Sequence, residues 1–126
     1  KKILISFTII FSMMFTSVSF AEWTKVVTAA NGSEVYIDFD RIRKNDGFIY
    51  YWELDNYMEP DPNSHFSVES YNKGDCNAFR VQSLMLKSYE KPMGKGNAND
   101  PFDPKDGWVY PSPNSVLEEI LNLVCK

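Results

Sequence analysis

The two cysteines, Cys76 and Cys125, constrain the fold of this 126-residue chain more than any other feature. They do not form a Cys-x-x-Cys motif, which a redox site would favour. His65 is the single histidine, so the chain offers too few further ligands for a site of the zinc type. Whether the two thiols pair therefore depends on the compartment that the chain reaches.

Residues 1–21 have the layout of a secretory signal peptide. Two lysines precede a long apolar run, and small side chains follow at Ser19 and Ala21. We expect cleavage between Ala21 and Glu22, which leaves residues 22–126 as one mature domain. An uncleaved membrane anchor is the alternative, because the apolar run is almost long enough to span a bilayer.

Export predicts that the two cysteines form a structural disulfide. An exported chain enters an oxidising compartment, where an even number of cysteines is normally paired. With two cysteines, the one possible pair is Cys76 with Cys125. Such a bond closes a loop of about 50 residues and contributes about 4 kcal/mol by chain entropy.

The mature domain is acidic. Without Lys1 and Lys2, 11 basic residues are set against 17 acidic ones, and the basic residues are scattered along the chain. This charge argues against nucleic acid and anionic membranes as partners.

Alternation of apolar and polar residues predicts an antiparallel sheet of about six strands. Asn31-Gly32 and Asp46-Gly47 are typical of hairpin turns. The third strand has apolar side chains on both faces, which predicts a central position, and a shift of apolar phase near Ser83 predicts a bulge. The expected strands are 23–27, 34–39, 48–57, 65–71, 78–90 and 108–110, and the expected loops are 58–64, 72–77 and 91–107.

The last residues predict a short α-helix. Ser115 and Glu118 match a capping box, and an apolar stripe follows at Leu117, Ile120, Leu121 and Val124. A helix of about ten residues needs tertiary packing to be stable, so we expect it to lie on the sheet with Cys125 bonded to Cys76. The predicted class is α+β, an antiparallel meander with a C-terminal helix on one face.

The sequence predicts no catalytic site and no enzyme activity. His65 is the one candidate base for a hydrolytic triad, and it lies at the end of a proline-rich loop. The carboxylates of the strands fall at alternating positions where polar side chains usually face water, so nothing selects a catalytic pair. They are Asp38, Asp40, Glu53 and Asp55.

We expect neither a cofactor nor a metal site. Gly94-Lys95-Gly96 lacks the spacing and the hydroxyl residue of a phosphate-binding loop. Oxygen ligands for calcium are present nearby, but they do not follow the EF-hand order, and the same residues favour turns. They are Asn97, Asn99, Asp100, Asp103 and Asp106. Calcium binding by the 91–107 loop is therefore left open as an alternative.

Aromatic residues make up 15% of the chain, and they include three tryptophans and seven tyrosines. Most are expected in the core with their polar tips hydrogen-bonded at its edge. A recognition or dimer surface is the second interpretation, because tyrosine and tryptophan are enriched at interfaces. Its candidate residues are Tyr50, Tyr51, Trp52 and Tyr57.

The order and spacing of several motifs resemble the surface-adhesin protein E family across essentially the whole mature chain. The motifs are Trp23, "VYIDFDRIR" at 35–43, "YWEL" with Trp52, Ser67, "GDC" with Cys76, Arg80, "SY" at 88–89, Gly94, Gly96, Trp108, "PNS" at 113–115 and Cys125. The resemblance implies a six-stranded antiparallel sheet with a disulfide-tethered C-terminal helix. It also implies a non-enzymatic envelope protein that binds host extracellular and serum proteins, with dimers formed through the sheet.

One feature departs from a surface-held member of that family. No cysteine stands at the expected cleavage site to carry a lipid, so we expect a periplasmic or secreted protein without a membrane anchor. We interpret the chain as an exported binding module for a host or envelope protein, a monomer or a homodimer. A periplasmic module for a small ligand, or an enzyme of unrecognised type, is the alternative.

Overall fold

The computed structural model describes residues 21–126, and the predicted signal peptide lies almost entirely outside them. Within that range the chain forms one antiparallel sheet of seven strands and a single α-helix. The strands are β1 Thr24–Thr28, β2 Glu34–Ile37, β3 Arg43–Asn45, β4 Phe48–Asn56, β5 Ser67–Asp75, β6 Arg80–Lys91 and β7 Lys95–Ala98, the helix is α1 Val116–Val124, and two 3₁₀ helices span Phe39–Arg41 and Pro92–Gly94.

The sheet is a meander in the order β1-β2-β4-β5-β6-β7, and β3 pairs with β4 beside β2. Asp46 and Gly47 both have positive φ, 52° and 80°, and they join β3 to β4 as the Asp-Gly signal predicts. The predicted bulge lies beside Ser83, since Tyr71 pairs with Met85 and Asn72 pairs with Ser83. The central position of β4 is confirmed.

The core lies between α1 and one face of the sheet. Ile120, Leu121 and Val124 of the helix are buried, and the buried apolar side chains on the sheet side are Val27, Val35, Ile37, Ile49, Tyr51 and Val81. Ser115 caps the helix, because its Oγ accepts a hydrogen bond of 3.2 Å from the Glu118 amide. The Glu118 carboxylate accepts from the amide of Asn114, one residue earlier than a standard capping box requires.

The disulfide joins Cys76, directly after β5, to Cys125 at the C-terminal end of α1, with 5.7 Å between the two Cα atoms. It anchors the last turn of the helix to the end of a central strand. The α+β class, the terminal helix and the disulfide are thus confirmed.

Several local predictions differ from the structure, among them the end of the strand predicted at 34–39, which is at Ile37. β5 continues to Asp75, so most of the predicted turn at 72–77 is strand, and the turn occupies the residues that follow. The predicted 91–107 loop contains β7, which pairs with β6. The predicted strand at 108–110 is reduced to one bridge, between Val81 and Val109.

Within residues 21–126, no helix has both the length and the apolar character that crossing a membrane requires.

Candidate binding surface

The face of the sheet opposite α1 carries a row of aromatic rings. Neighbouring residues of a strand point to opposite faces, so Tyr50 and Trp52 of β4 point away from the helix that covers Ile49 and Tyr51. Trp52 pairs with Tyr71 of β5. The Tyr71 ring lies 4.8 Å from the Trp52 ring and 6.0 Å from the Tyr50 ring, measured between centroids.

At one end of this row, the Arg41 guanidinium lies over two tryptophans. Its carbon is 4.8 Å from the Trp52 ring centroid and 5.7 Å from that of Trp23. Asp38 holds the arginine in place, because its Oδ2 accepts from Arg41 Nε at 2.6 Å. Asp38 is itself buried and accepts from the Asp40 amide, which starts the 3₁₀ helix after β2.

At the other end, Lys73 and Arg80 lie over Trp108 and Phe48. Lys73 Nζ is 4.1 Å from the Phe48 ring centroid, and the Arg80 guanidinium carbon is 4.2 Å from that of Trp108. Arg80 also pairs with Asp75 at 3.0 Å. Hydrogen bonding to the Ala78 amide is the main cause that lowers the pKa of Asp75, so this carboxylate stays ionised beside the arginine.

We call this surface the aromatic–cation face. It consists of Trp23, Arg41, Arg43, Phe48, Tyr50, Trp52, Tyr71, Lys73, Arg80 and Trp108. A concavity of about 300 Å³ opens in it between Arg41, Arg43, Trp52 and Tyr71. Two guanidinium groups and two rings in one small cavity form an environment for an anion with a planar shape.

The structure separates the four residues that the sequence proposed as a recognition surface. Tyr50 and Trp52 are half-buried members of the aromatic–cation face. Tyr51 has no exposed surface and belongs to the core, so its assignment to a recognition surface is wrong. Tyr57 follows the end of β4 and lines a separate cavity of about 460 Å³ with Met58 and Asp61.

His65 takes part in the structure of a loop. Its Nδ1 lies 3.5 Å from the carboxylate of Asp61, which also accepts from the amides of Asn63 and His65 at 2.9 Å each. These backbone hydrogen bonds, led by that of His65, lower the pKa of Asp61. The pair therefore closes the turn between β4 and β5.

Glu53 and Asp55 do not lie where the sequence suggested. They share the helix-side face of β4 with Tyr51 and are half-buried rather than water-facing. Burial raises the pKa of both carboxyls, and the charge of Asp55 adds to the effect on Glu53. Burial also raises the pKa of Tyr51, with the two carboxylates as further causes. Among the described residues, the Tyr51 hydroxyl has no hydrogen-bond partner.

A chain of polar side chains continues from Glu53 across the sheet. Asn72 donates from Nδ2 to Ser70 Oγ at 3.0 Å and to Glu53 Oε2 at 3.4 Å, and it accepts from Ser83 Oγ at 2.9 Å. Ser70 and Asn72 are buried. This polar seam lies on the helix-side face, beyond the part of the sheet that α1 covers. The cavities described above are lined by neither Glu53 nor Asp55.

Two of the candidate calcium ligands of the 91–107 loop accept hydrogen bonds from backbone amides. Asn99 accepts from the Ser88 amide at 2.8 Å, and Asp103 accepts from the Lys105 amide at 2.8 Å. In the part of the chain that the structure describes, no group of three or more His, Cys, Asp and Glu side chains is arranged to hold a metal ion.

Sequence reasoning missed Tyr71, Lys73, Arg41 and Arg43 as members of one surface. Tyr71 and Lys73 are two residues apart on β5, so strand periodicity could have predicted that they share a face. Strand periodicity could not place Arg41 on this surface, because Arg41 lies in the 3₁₀ helix Phe39–Arg41. The sequence predicted a strand up to Phe39 and no helix after it.

Comparison with known families decides the relationship. The family model described as surface-adhesin protein E matches residues 23–126, the whole described domain apart from its first two residues. The chain belongs to the surface-adhesin protein E family.

Solved structures of this family share the fold. Crystal form II of Haemophilus influenzae protein E superposes with a TM-score of 0.61 at 18% identity, covering 85% of this chain and 89% of that one. Protein E from non-typeable Haemophilus influenzae gives a TM-score of 0.59 at 18% identity, covering 86% of this chain and 78% of that one. No curated protein matched the sequence. At this identity the likeness to protein E shows the fold alone.

Proposed function

We propose that this member of the surface-adhesin protein E family is an exported, non-enzymatic module that binds another protein through its aromatic–cation face. The observation that carries the proposal is a sheet face left uncovered by the helix and filled with partly exposed rings and cations. The apolar part of the second face is covered by α1, which the disulfide tethers, so it supplies stability rather than contact.

The composition of the face supports a protein as the partner. Tryptophan, tyrosine and arginine are the residue types that contribute most binding energy at protein interfaces. On this face, residues of these three types lie side by side on neighbouring strands, and the contact between Trp52 and Tyr71 is at the centre. Their rings are already held by cation–π contacts and stacking, which reduces the conformational entropy lost on binding.

We propose that the mature protein functions outside the cytoplasm. The signal-like segment at residues 1–21 supports export to the periplasm or to the medium, with residues 22–126 as the mature domain. The disulfide supports the same location, since such bonds persist in oxidising compartments.

A homodimer is the second candidate, and one observation favours it. Aromatic rings concentrated on the open face of a central sheet are also typical of a surface buried in self-association. In that case the aromatic–cation face would be occupied by a second copy.

The test compares variants of the full chain, expressed with its own N-terminal segment and recovered after export. Trp52→Ala and Tyr71→Ala alter the face, and Phe102→Ala is the matched control because Phe102 is an exposed aromatic outside it. Chemical crosslinking with mass spectrometry identifies partners, and light scattering gives the oligomeric state. We expect the two face variants to lose a crosslinked partner that Phe102→Ala retains. Equal crosslinking by all three variants would contradict the proposal.

A further inference from the structure

We infer that the cavity between Arg41 and Arg43 receives a carboxylate side chain from an acidic segment of the partner protein. The inference rests on the proposed function and adds the chemistry that the partner presents. The inference follows from the size of the cavity, from the charges around it and from the position of Lys73, a nearby cation that forms no ion pair with the described residues.

The cavity is an open concavity that is large enough to admit a side chain. Its volume of about 300 Å³ is at the lower limit of ligand pockets in proteins. Its lining residues are Arg41, Arg43, Trp52 and Tyr71. A glutamate or aspartate fits this lining, because its carboxylate matches the planar donor fork of arginine while its methylene groups contact the rings.

The two arginines differ in how their charge is balanced. Arg41 already donates from Nε to Asp38, and its Nη2 is buried from solvent without a hydrogen-bond partner among the described residues. Arg43 is exposed, and within residues 21–126 no carboxylate lies within 4.0 Å of it. Arg43 is therefore the guanidinium that is free to bind a carboxylate, and Arg41, already paired with Asp38, adds its positive charge to the cavity.

A second cation without a carboxylate partner follows along β5. Lys73 lies on the same face as Tyr71, two residues further on, which is about 7 Å along a strand. Its ammonium group contacts the Phe48 ring and, in the described part of the chain, pairs with no acid. The face thus has an excess of positive charge on a chain whose net charge is −4. Arg43 and Lys73 both pair with Tyr50, from opposite sides, so the two free cations lie two strand spacings apart, about 9.5 Å. An extended segment that crosses the strands can present an acidic side chain to each of them.

The arrangement favours a peptide over an anionic glycan. Sulfated polysaccharides attract clustered lysine and arginine. Here the free cations are single and separated by aromatic rings, which is the composition of a protein interface.

The test measures binding of short dye-labelled peptides by fluorescence anisotropy to the exported protein. One peptide alternates glutamate and tyrosine, and its match has glutamine in place of glutamate. The variants are Arg43→Ala and Lys73→Ala, since neither residue forms an ion pair within the domain. Lys44→Ala is the control, because Lys44 adjoins Arg43 on β3 but pairs with Ile49 and lies on the opposite face.

We expect the glutamate peptide to bind at least about tenfold more tightly than the glutamine peptide, as for hydrogen bonds to charged groups. Arg43→Ala and Lys73→Ala should reduce this preference, and Lys44→Ala should keep it. Equal affinity for the two peptides, or no binding of the glutamate peptide at millimolar concentration, overturns the inference. Binding of heparin fragments through Arg43 without binding of the peptide also overturns it, in favour of a glycan.

The same variants separate this inference from the proposed function. If Trp52→Ala abolishes partner crosslinking while Arg43→Ala and Lys73→Ala leave it unchanged, the face binds a protein without an acidic contact, and the inference alone fails. If Trp52→Ala also leaves crosslinking unchanged, the proposed function fails.

Discussion

Gly74 of β5 lies directly beneath Leu121 of the helix. A Cβ built on Gly74 would stand 3.3 Å from Leu121 Cδ1 and 2.7 Å from Ile49 Cγ2. Leu121 and Ile49 are both buried, so neither has free space into which to move. The missing side chain at Gly74 thus sets how closely α1 approaches the sheet.

Gly74→Ala should therefore destabilise the domain. Overpacking of a well-packed core costs about 1–3 kcal/mol, which exceeds the gain from replacing a strand glycine by alanine. For a domain of this size, each kcal/mol lowers the melting temperature by about 4–8 °C, measurable by circular dichroism.

The contact with Ile49 gives this prediction an internal control. Ile49→Ala removes the Cγ2 atom that the new methyl group would meet, so the double variant should lose less stability than the two single variants added together. Strictly additive losses would mean that the new methyl group does not clash with Ile49.

The disulfide between Cys76 and Cys125 should be a major source of stability. Its partners are 49 residues apart, and closure of such a loop contributes about 4 kcal/mol. Cys125→Ser should lower the melting temperature by about 15 °C or more. Adding a reductant to the unaltered protein should reproduce the loss, whereas an unchanged melt in both experiments would show that the bond is dispensable.

Much of the fold was predictable because most of its signals are local and the cysteine pair adds one long-range constraint. Ser115 and the apolar stripe after it define a helix, Asp46-Gly47 defines a turn, and the cysteine pair fixes the position of the C-terminal end. β7 was not predictable, because all four of its residues are exposed and it is defined by backbone pairing with β6 alone.

The binding surface was harder to predict because it depends on which part of each face the helix covers. One face of β4 carries Ile49, Tyr51 and Glu53. Ile49 and Tyr51 lie in the apolar core, whereas Glu53 lies in a polar seam beyond it. Periodicity gave the faces of the strand. It did not give the length of sheet that a nine-residue helix covers.

Tyr51→Phe should leave the stability unchanged or raise it. The Tyr51 hydroxyl is fully buried and has no hydrogen-bond partner in the described domain, and such a group costs about 1–3 kcal/mol. Tyr89→Phe is the matched control, because the Tyr89 hydroxyl donates to Glu69 at 3.3 Å. Thermal melts that rank Tyr51→Phe below Tyr89→Phe would indicate that the Tyr51 hydroxyl has a partner in solution.

Glu53→Gln should stabilise the domain at neutral pH. Burial raises the pKa of Glu53 well above its usual value of about 4.5, so the folded state holds a proton that the unfolded chain releases at lower pH. Stability is then greatest below the unfolded pKa and decreases as pH rises through the higher folded pKa. The glutamine amide removes this loss, and its oxygen still accepts from Asn72 Nδ2.

The gain in melting temperature from Glu53→Gln should shrink as the pH is lowered toward 4. At that pH the Glu53 carboxyl of the unaltered protein is largely protonated in the folded and in the unfolded state. Glu90→Gln is the control, because Glu90 is exposed at the end of β6 and its substitution should change the melting temperature little at any pH. Melts at several pH values distinguish the two positions. A lower melting temperature for Glu53→Gln at neutral pH would contradict the prediction and would mean that the ionised carboxylate is stabilised in the native protein.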